Sequence, residues 1–376
     1  MRWRFAVFLS VFAGLVFYTG WRAAALAPGR EQLTRGLSFC FFLFITGWQS
    51  FYRSGARSQE SLWFKTLAWT ATFGMGVWAT FLLFSLGVDI GSAVFHLFSS
   101  NPAPAWLPAG LMAGAWLVAG LGLRTVMAGP VVREVSVPIK DLPPELEGLR
   151  IVQLSDIHVG ATIRRDFVST IVDRVLALKP DLIAITGDLA DGDPQTLAEH
   201  VRPLSRLSAE LGVYYVTGNH EYYWSAPAWI AKAAELGMIP LVNENRVVRR
   251  ANAAILVGGV TDTSAAHFIP DQASDPRKAA ASDQKAALKL LLAHRPDSCF
   301  AAEPAGFDLQ LSGHTHGGQF FPWSILIPFF HKYYRGLNRH GRMWVYVSTG
   351  TGYWGPPHRF LIPSEITLLR LTKLAA

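Results

Sequence analysis

The sequence contains little charge and little cysteine, and each shortage narrows what the protein can be. Charged residues make up 16% of the 376 positions and hydrophobic residues 51%, against about 25% charged residues in an average soluble domain. This deficit predicts membrane-embedded segments. The two cysteines, Cys40 and Cys299, lie far apart, which excludes a disulfide framework and a structural zinc site built from cysteines.

Positive charge is unevenly distributed along the chain. Residues 1–130 contain nine Arg or Lys and three Asp or Glu, a net of +6, whereas residues 131–376 contain 25 and 24, a net of +1. Because nucleic-acid binding requires a basic surface, the near balance of the second part argues against a nucleic-acid partner. The excess in the first part is typical of short loops that flank membrane helices.

Four apolar runs, 5–21, 36–52, 66–88 and 105–123, contain no Asp, Glu, Lys or Arg. Each is near the roughly 20 residues that an α-helix needs to cross a bilayer, where an ionised side chain costs about 2.5 to 3.5 kcal/mol. The runs predict an integral membrane protein with a helical transmembrane region of about four spans at residues 1–128. The first run also fits a cleaved signal peptide, because small residues follow it at 23–28.

The flanking charges predict the orientation of these spans. If the N-terminus is inside, three basic residues of the first loop lie outside the cell, and seven basic flanking residues lie in the cytoplasm: Arg2, Arg4, Arg53, Arg57, Lys65, Arg124 and Arg133. Since basic loops favour the cytoplasmic side, we expect the C-terminal domain of this cell-membrane protein to be cytoplasmic.

The remaining chain, residues 129–376, has the texture of a soluble α/β domain. Helices are predicted at 164–179, 196–211 and 284–293, and a mobile loop at 261–281. The predicted strands are 150–155, 181–186, 213–217, 254–260, 308–312, 343–349 and 365–371.

Side chains of metal-ligand type follow four of the predicted strands. They are Asp156 and His158, Asp188 and Asp191, Asn219 and His220, and His314 and His316, with His294 at the end of the last predicted helix. Because ligand sites in open α/β sheets form outside the carboxyl ends of strands, these distant motifs can converge. Alone, each motif has a plainer explanation, such as a turn or a helix-end histidine; their joint occurrence indicates a metal site.

The residue types indicate which metals the site would hold. Asp, His and Asn supply oxygen and nitrogen ligands without thiolates, which suits Mn, Fe or Zn. Seven of these side chains, all except Asp191 and His220, are the candidate ligands. Seven ligands are too many for one tetrahedral ion and match two divalent ions that share a carboxylate. Gly187, Gly218 and Gly313 precede ligands, where glycine permits sharp turns and close backbone approach.

The motifs D-x-H, G-D-x-x-D, G-N-H-E, a lone His and G-H-x-H, in this order, resemble those of the calcineurin-like metallophosphoesterases over about residues 131–372. The resemblance implies a four-layer α/β/β/α sandwich and hydrolysis of phosphoesters. It also implies that Asp188 bridges two ions and that each ion has three further ligands: Asp156, His158 and His316 for the first, and Asn219, His294 and His314 for the second.

The implied reaction is attack on phosphorus by a hydroxide that bridges the two ions. His220, which follows a ligand directly, is then the expected proton donor to the leaving oxygen. Asp191 would hold the His220 imidazole in the required tautomer.

Departures within the family narrow the substrate. Protein phosphatases of this kind have an arginine where this chain has Gly192, so a protein phosphatase is disfavoured. The motifs "LSDIHVG" and "STGTGYWGPPHRF" are similar to a membrane-anchored branch that includes phosphodiesterases and UDP-2,3-diacylglucosamine pyrophosphatases. A phosphodiester, a phosphomonoester or a pyrophosphate, including a lipid-linked one, is the expected substrate.

The aromatic segment 319–334 follows the last two histidines. It would either face lipid or pack on the sheet. Arg335, Arg339 and Arg359 are candidate phosphate contacts. A membrane-bound binding or sensing protein with structural metals is the alternative function.

Overall fold

A computed structural model describes residues 2–26, 28–54, 61–98, 104, 106–321 and 323–374. Several residues named or included above lie outside these residues. They include Ala27 of the predicted cleavage region, Arg57 of the flanking charges and Pro322 of the aromatic segment. The chain divides into two compact units: residues 1–124 with 355–360, and residues 125–354 with 361–376.

The first unit is helical. Its helices α1 (Arg2–Ala24), α2 (Glu31–Ser54), α3 (Leu62–His96) and α4 (Leu107–Met127) contain the first three apolar runs and residues 107–123 of the fourth. Among the described residues, α3 and α4 are long and apolar enough to cross a membrane, whereas α1 and α2 do not pass the same test. The predicted four spans are therefore not confirmed.

The third helix, α3, is longer than a bilayer requires. Its 35 residues extend about 52 Å, against roughly 30 Å of hydrocarbon. Asp89 near its C-terminal end binds Arg22 of α1 at 3.2 Å and also accepts a hydrogen bond from Tyr18. These polar contacts thus join the C-terminal part of α3 to the C-terminal part of α1.

The second unit is built on β-sheets. In chain order its strands are β1 (Val131–Ile139), β2 (Arg150–Leu154), β3 (Leu182–Thr186), β4 (Val213–Val216), β5 (Ile239–Pro240), β6 (Glu244–Arg250), β7 (Ala253–Gly259), β8 (Leu288–Leu292), β9 (Leu309–Ser312), β10 (Gly336–His340), β11 (Met343–Val347) and β12 (Glu365–Lys373). Within the described chain they form two six-stranded sheets, ordered β1-β12-β2-β3-β4-β5 and β10-β11-β9-β8-β7-β6. Neighbouring strands from β2 to β5 are parallel, as are β7, β8, β9 and β11.

The second unit also contains helices. They are α5 (Arg165–Ala177), α6 (Ala198–Val201), α7 (Asn219–Trp224), α8 (Ala226–Glu235), α9 (Pro276–Ala280), α10 (Cys299–Ala302) and α11 (Trp323–Leu326). The longest, α5, buries Val168, Ile171, Val172 and Val175, at the spacing that places apolar side chains on one helix face.

The apolar cores follow the layers. Ile151 and Leu182 of the first sheet pack with Leu290 and Leu309 of the second in a core between the sheets. The outer face of the first sheet packs on α5, and that of the second packs on α9 and α10. This mixed α/β architecture agrees with the α/β/β/α order that the resemblance implied.

The helix predicted at 284–293 is wrong. Its apolar core forms strand β8, which pairs in parallel with β7 and β9. A short apolar run does not distinguish a buried strand from a buried helix by periodicity, and β8 packs against neighbours on both faces because Leu290 and Leu291 belong to different cores. His294 therefore follows a strand and not a helix.

Other boundaries also differ from the sequence interpretation. The helix predicted at 196–211 contains only α6 and a 3₁₀ turn at Arg202–Arg206, since Pro203 interrupts helical hydrogen bonding. The predicted loop 261–281 contains 3₁₀ turns at Ala265–His267 and Pro270–Gln272 and then α9. The sequence did not predict the four edge strands of the two sheets, β1, β5, β6 and β10. At sheet edges the pattern of buried side chains is weakest.

Candidate metal centre

The loops that follow parallel strands of both sheets converge at one end of the second unit. β2, β3 and β4 of the first sheet lead into three of the motifs, and β8 and β9 of the second sheet lead into the other two. The residues delivered in this way are Asp156, His158, Asp188, Asp191, Asn219, His220, His294, His314 and His316. The site therefore depends on both sheets.

One group of ligands consists of Asp156, His158 and His316, all buried, with ligand atoms within 4.8 Å of one another. The Nε2 atoms of His158 and His316 are 3.1 Å apart, and His316 Nε2 is 3.3 Å from Asp156 Oδ1. Two imidazoles and a carboxylate at these distances offer three ligand atoms to a single divalent ion.

A second group consists of Asp188, His294 and His314. His294 Nε2 lies 3.2 Å from Asp188 Oδ2 and 3.2 Å from His314 Nδ1. His294 Nδ1 lies 2.8 Å from the carbonyl oxygen of Thr186 and donates to it, which leaves the Nε2 lone pair for a metal. This is the arrangement that usually fixes the tautomer of a metal-binding histidine.

Asp188 lies between the two groups. Its Oδ2 is 3.2 Å from His294 Nε2 of one group and 3.8 Å from His158 Nε2 of the other. Burial alone would raise the pKa of Asp188, but the imidazoles of His294 and His220 outweigh it and hold the pKa well below its ordinary value. A buried, ionised carboxylate facing both groups has the position of a shared ligand.

Asn219 provides a test of whether cations fit this donor set. Its side-chain Oδ1 is buried and has no hydrogen-bond partner in the described part of the chain. Leaving such an acceptor unsatisfied costs about 1 to 3 kcal/mol, and a bound cation would satisfy it. The neighbouring residue His220 donates its backbone N–H to Asp188 at 2.9 Å, so Asn219 lies at the shared carboxylate.

Five of the candidate ligands have a left-handed backbone conformation. Their φ angles lie between 49° and 70°: Asp156, His158, Asp188, His314 and His316. This conformation costs roughly 1 to 2 kcal/mol for a residue other than glycine, and such residues cluster at functional sites where the surrounding structure holds them.

Two of the glycines noted in the sequence are required by close packing on the ligands. A Cβ atom on Gly218 would lie 2.2 Å from Asp188 Oδ1, and one on Gly313 would lie 2.1 Å from Asp156 Oδ2. A side chain at either position would displace a ligand carboxylate.

His220 and Asp191 lie at the edge of the two groups. Asp191 Oδ1 is hydrogen-bonded to Nδ1 of His220 and lies 3.2 Å from Nδ1 of His158, so one carboxylate orients two imidazoles; the sequence predicted only the first. Burial alone would lower the pKa of His220, but Asp188 and Asp191 raise it to about 10. Burial alone would raise the pKa of Asp191, but His158 and His220 outweigh it and lower this pKa below its ordinary value.

Sequence reasoning missed the role of Glu221. Its buried carboxylate accepts hydrogen bonds from the backbone N–H groups of Gly218, Asp188 and Leu189 at 2.6, 3.1 and 2.7 Å. Burial, followed by the charge of Asp188, raises the pKa of Glu221 to about 7. Glu221 therefore ties the loop after β3 to the loop after β4; its place in G-N-H-E was the available signal.

A further histidine, His331, was also missed. Its ring packs edge-on against that of His314, with 5.8 Å between centroids. Of the predicted phosphate contacts, Arg335 stacks on Tyr334 and Arg339 on Trp344. Arg359 is fully buried and belongs to the helical unit. The role of these three arginines remains a prediction.

The family model described as calcineurin-like phosphoesterase matches residues 149–318. An uncharacterized metallophosphoesterase of Bacillus subtilis is 31% identical over 239 residues, which cover 61% of this chain and 81% of that protein. The chain belongs to the calcineurin-like phosphoesterase family.

Other members of this phosphoesterase family are more similar over a smaller share of their length. An uncharacterized metallophosphoesterase of Helicobacter pylori is 37% identical over 66% of both chains. A bovine protein named transmembrane protein with metallophosphoesterase domain is 38% identical over 67% of this chain and 59% of its own. The chain therefore spans 66% and 59% of the length of these two relatives, less than two thirds of each.

Replacing Asp188 by Asn tests whether this carboxylate belongs to a metal site. Substitutions in the outer shell of a metal site already lower metal affinity by about 10- to 100-fold. We therefore expect Asp188→Asn to lower metal affinity by more than this and to retain less metal after dialysis. Metal content by elemental analysis and affinity by calorimetry measure the change. Asp193→Asn is the control, because Asp193 is exposed and only accepts turn hydrogen bonds; equal metal content in both variants would contradict the assignment.

Proposed function

We propose that the protein is a membrane-attached phosphoesterase that uses two divalent ions, Mn, Fe or Zn, to hydrolyse a phosphodiester, phosphomonoester or pyrophosphate bond. The observation that carries the proposal is the Asp188 carboxylate between two groups of buried imidazoles. Asp156, His158 and His316 would hold one ion and Asn219, His294 and His314 the other. Helices α3 and α4 and the bovine transmembrane relative support membrane attachment, and the flanking charges support a cytoplasmic catalytic domain.

The bound ions would supply water activation and neutralise charge on the phosphoryl oxygens. The chain's own residues supply the proton. His220 binds Asp191 through Nδ1, and its Nε2 lies 3.8 Å from the shared carboxylate Asp188. As the bond from phosphorus to the leaving oxygen breaks, that oxygen takes its electron pair and receives the proton from His220 Nε2. Asp191 stabilises the protonated imidazole until then.

The aromatic segment supports an amphiphilic substrate. Residues 323–330, which we call the apolar lip, comprise α11 and the turn after it and begin seven residues after His316. Phe329 and Phe330 are 82% and 65% exposed, and Trp323, Ile325 and Leu326 are also exposed. Soluble surfaces rarely leave such apolar patches uncovered unless they bind a ligand, a protein or a membrane. A lipid-linked phosphoester would place its acyl chains on the lip and its phosphate at the metals.

A metal-supplemented substrate panel tests the proposed function. We expect turnover of bis(p-nitrophenyl) phosphate, p-nitrophenyl phosphate or a UDP-linked lipid with Mn, Fe, Co or Zn, and loss of turnover with a chelator. Asp188→Asn should abolish it. The absence of turnover with all metals and substrates would instead favour a membrane-bound binding or sensing protein with structural metals.

Substitution of His220 tests its role as the proton donor. General acid catalysis contributes about 10²- to 10⁴-fold, and a nitrophenolate leaving group hardly needs it. We therefore expect His220→Ala to lower kcat for alkyl phosphoesters by about 100-fold or more and that for nitrophenyl esters far less. His340→Ala on the edge strand β10 is the control. An equal loss for both classes of ester would rule out proton donation to the leaving oxygen.

Polar substitutions in the apolar lip test the lipid-linked substrate. Each buried phenylalanine contributes about 1.5 to 3 kcal/mol of apolar transfer, so the double variant Phe329→Ser, Phe330→Ser should raise KM for a lipid-linked phosphoester in mixed micelles by at least ~10-fold. Turnover of soluble bis(p-nitrophenyl) phosphate should differ from that of the natural protein by less than about twofold. Leu374→Ser, an exposed apolar position after β12, is the control. A parallel change for both substrates would contradict the lip's role.

A further inference from the structure

Three large aromatic side chains flank the catalytic histidine and are left half exposed. Trp354 is 49% exposed, Phe268 48% and Tyr223 44%. They lie on three different parts of the second unit: Trp354 on the loop after β11, Phe268 directly after the 3₁₀ turn Ala265–His267, and Tyr223 on helix α7. With His220 they form a continuous series of rings, which we call the aromatic row.

The ring geometry places His220 inside the aromatic row. Its centroid is 5.1 Å from that of Tyr223 and 6.1 Å from that of Trp354, with interplanar angles of 56° and 81°. Tyr223 in turn lies 5.8 Å from Phe268. These separations are within the 4.5 to 7 Å typical of aromatic pairs. The row therefore borders the group proposed to protonate the leaving oxygen.

The row is held rigidly by neighbouring structure. The buried amide of Gln319, three residues after His316, donates to the Trp354 carbonyl at 2.8 Å and accepts from the Trp354 N–H at 3.0 Å. Tyr223 lies three residues from His220 on α7, a spacing that brings side chains together on a helix. Phe268 also packs on Tyr222 at 6.0 Å. These contacts fix the backbone of Trp354 and pack the rings of Tyr223 and Phe268 on their neighbours.

A purely structural role would not require this exposure. Aromatic side chains bury about 150 to 250 Å² each when fully packed, and the row leaves nearly half of three such surfaces to solvent. Contiguous exposed apolar surface on a soluble domain marks a binding site. Because the row borders His220, a ring bound there would belong to the part of the substrate that departs.

We propose that Trp354, Tyr223 and Phe268 form a leaving-group subsite that binds a planar, uncharged aromatic ring of the departing half of the substrate. This inference rests on the proposed function, because His220 defines the leaving-group side. The subsite and the apolar lip are formed by different segments of the chain. It selects for ring planarity, since stacking needs a flat π surface, whereas the lip selects for apolar area alone.

Matched leaving groups test the subsite in the full-length, metal-loaded protein. Benzyl phosphate and cyclohexylmethyl phosphate, and their methyl diesters, have similar size and unactivated alkoxide leaving groups, but only the benzyl ring is planar. Stacking of one ring supports a preference of roughly tenfold in kcat/KM for the benzyl esters, measured as release of each alcohol by chromatography. Trp354→Leu and Tyr223→Leu should each lower this ratio several-fold, and Trp354→Phe should preserve most of it.

Phe300→Leu is the control, because Phe300 is an exposed aromatic residue on α10; its benzyl preference should equal that of the natural protein. A ratio near one in the natural protein would overturn the subsite. So would an equal loss for benzyl and cyclohexylmethyl esters in the Trp354 and Tyr223 variants, since this would mean that the rings only support His220. Failure to hydrolyse these esters together with the whole substrate panel, including the UDP-linked lipid, would overturn the proposed function itself, and the subsite with it.

Discussion

The structure of the second unit depends on holding buried carboxylates and imidazoles together at the end of two sheets. Burial raises the pKa of Asp156, whereas the imidazoles lower that of Asp188 despite its burial. An isolated buried charge is expensive and must be paired or bound to a cation. Neither carboxylate has its full set of partners in one sheet: Asp156 accepts from the backbone N–H of His314 at 3.0 Å, and Asp188 faces His294. The site therefore requires the two sheets to be joined at this end.

Direct hydrogen bonds join them there. Gln153 of β2 is fully buried and donates to the carbonyl of Ser312 on β9 at 2.9 Å, and His294 after β8 donates to Thr186 on β3. A buried polar group that spans two layers is satisfied only in one register, so these contacts fix how the strand ends face each other. The left-handed backbone conformations of the candidate ligands and the glycines packed on their carboxylates follow from these contacts, because the tightly packed loops do not accommodate ordinary backbone conformations.

The sequence predicted which side chains would come together better than it predicted the elements that carry them. Ligand motifs are local patterns, and parallel strands bring their carboxyl ends together whatever the intervening chain does. The run "LKLLL" was misassigned because a strand buried on both faces has no alternating pattern. The contribution of Glu221 and the second imidazole held by Asp191 were not predictable, because both depend on distances between separate loops. The four apolar runs became four helices, yet composition distinguishes α3 and α4 from α1 and α2.

The chain after His316 connects the metal centre to the surfaces that would select a substrate. Gly318 turns away from the ligand loop, Gln319 fixes the backbone of Trp354, and the apolar lip follows within a few residues. The candidate ligand His316 thus lies within fourteen residues of the exposed apolar lip, and the side-chain amide of Gln319 connects the same segment to the aromatic row. In the two proposals the lip would bind flexible apolar groups and the row flat rings, so the two surfaces would select different parts of one molecule. A phosphoester with an acyl chain on one side of phosphorus and an aromatic ring on the other would satisfy both proposals, whereas a phosphate with small polar substituents would satisfy neither.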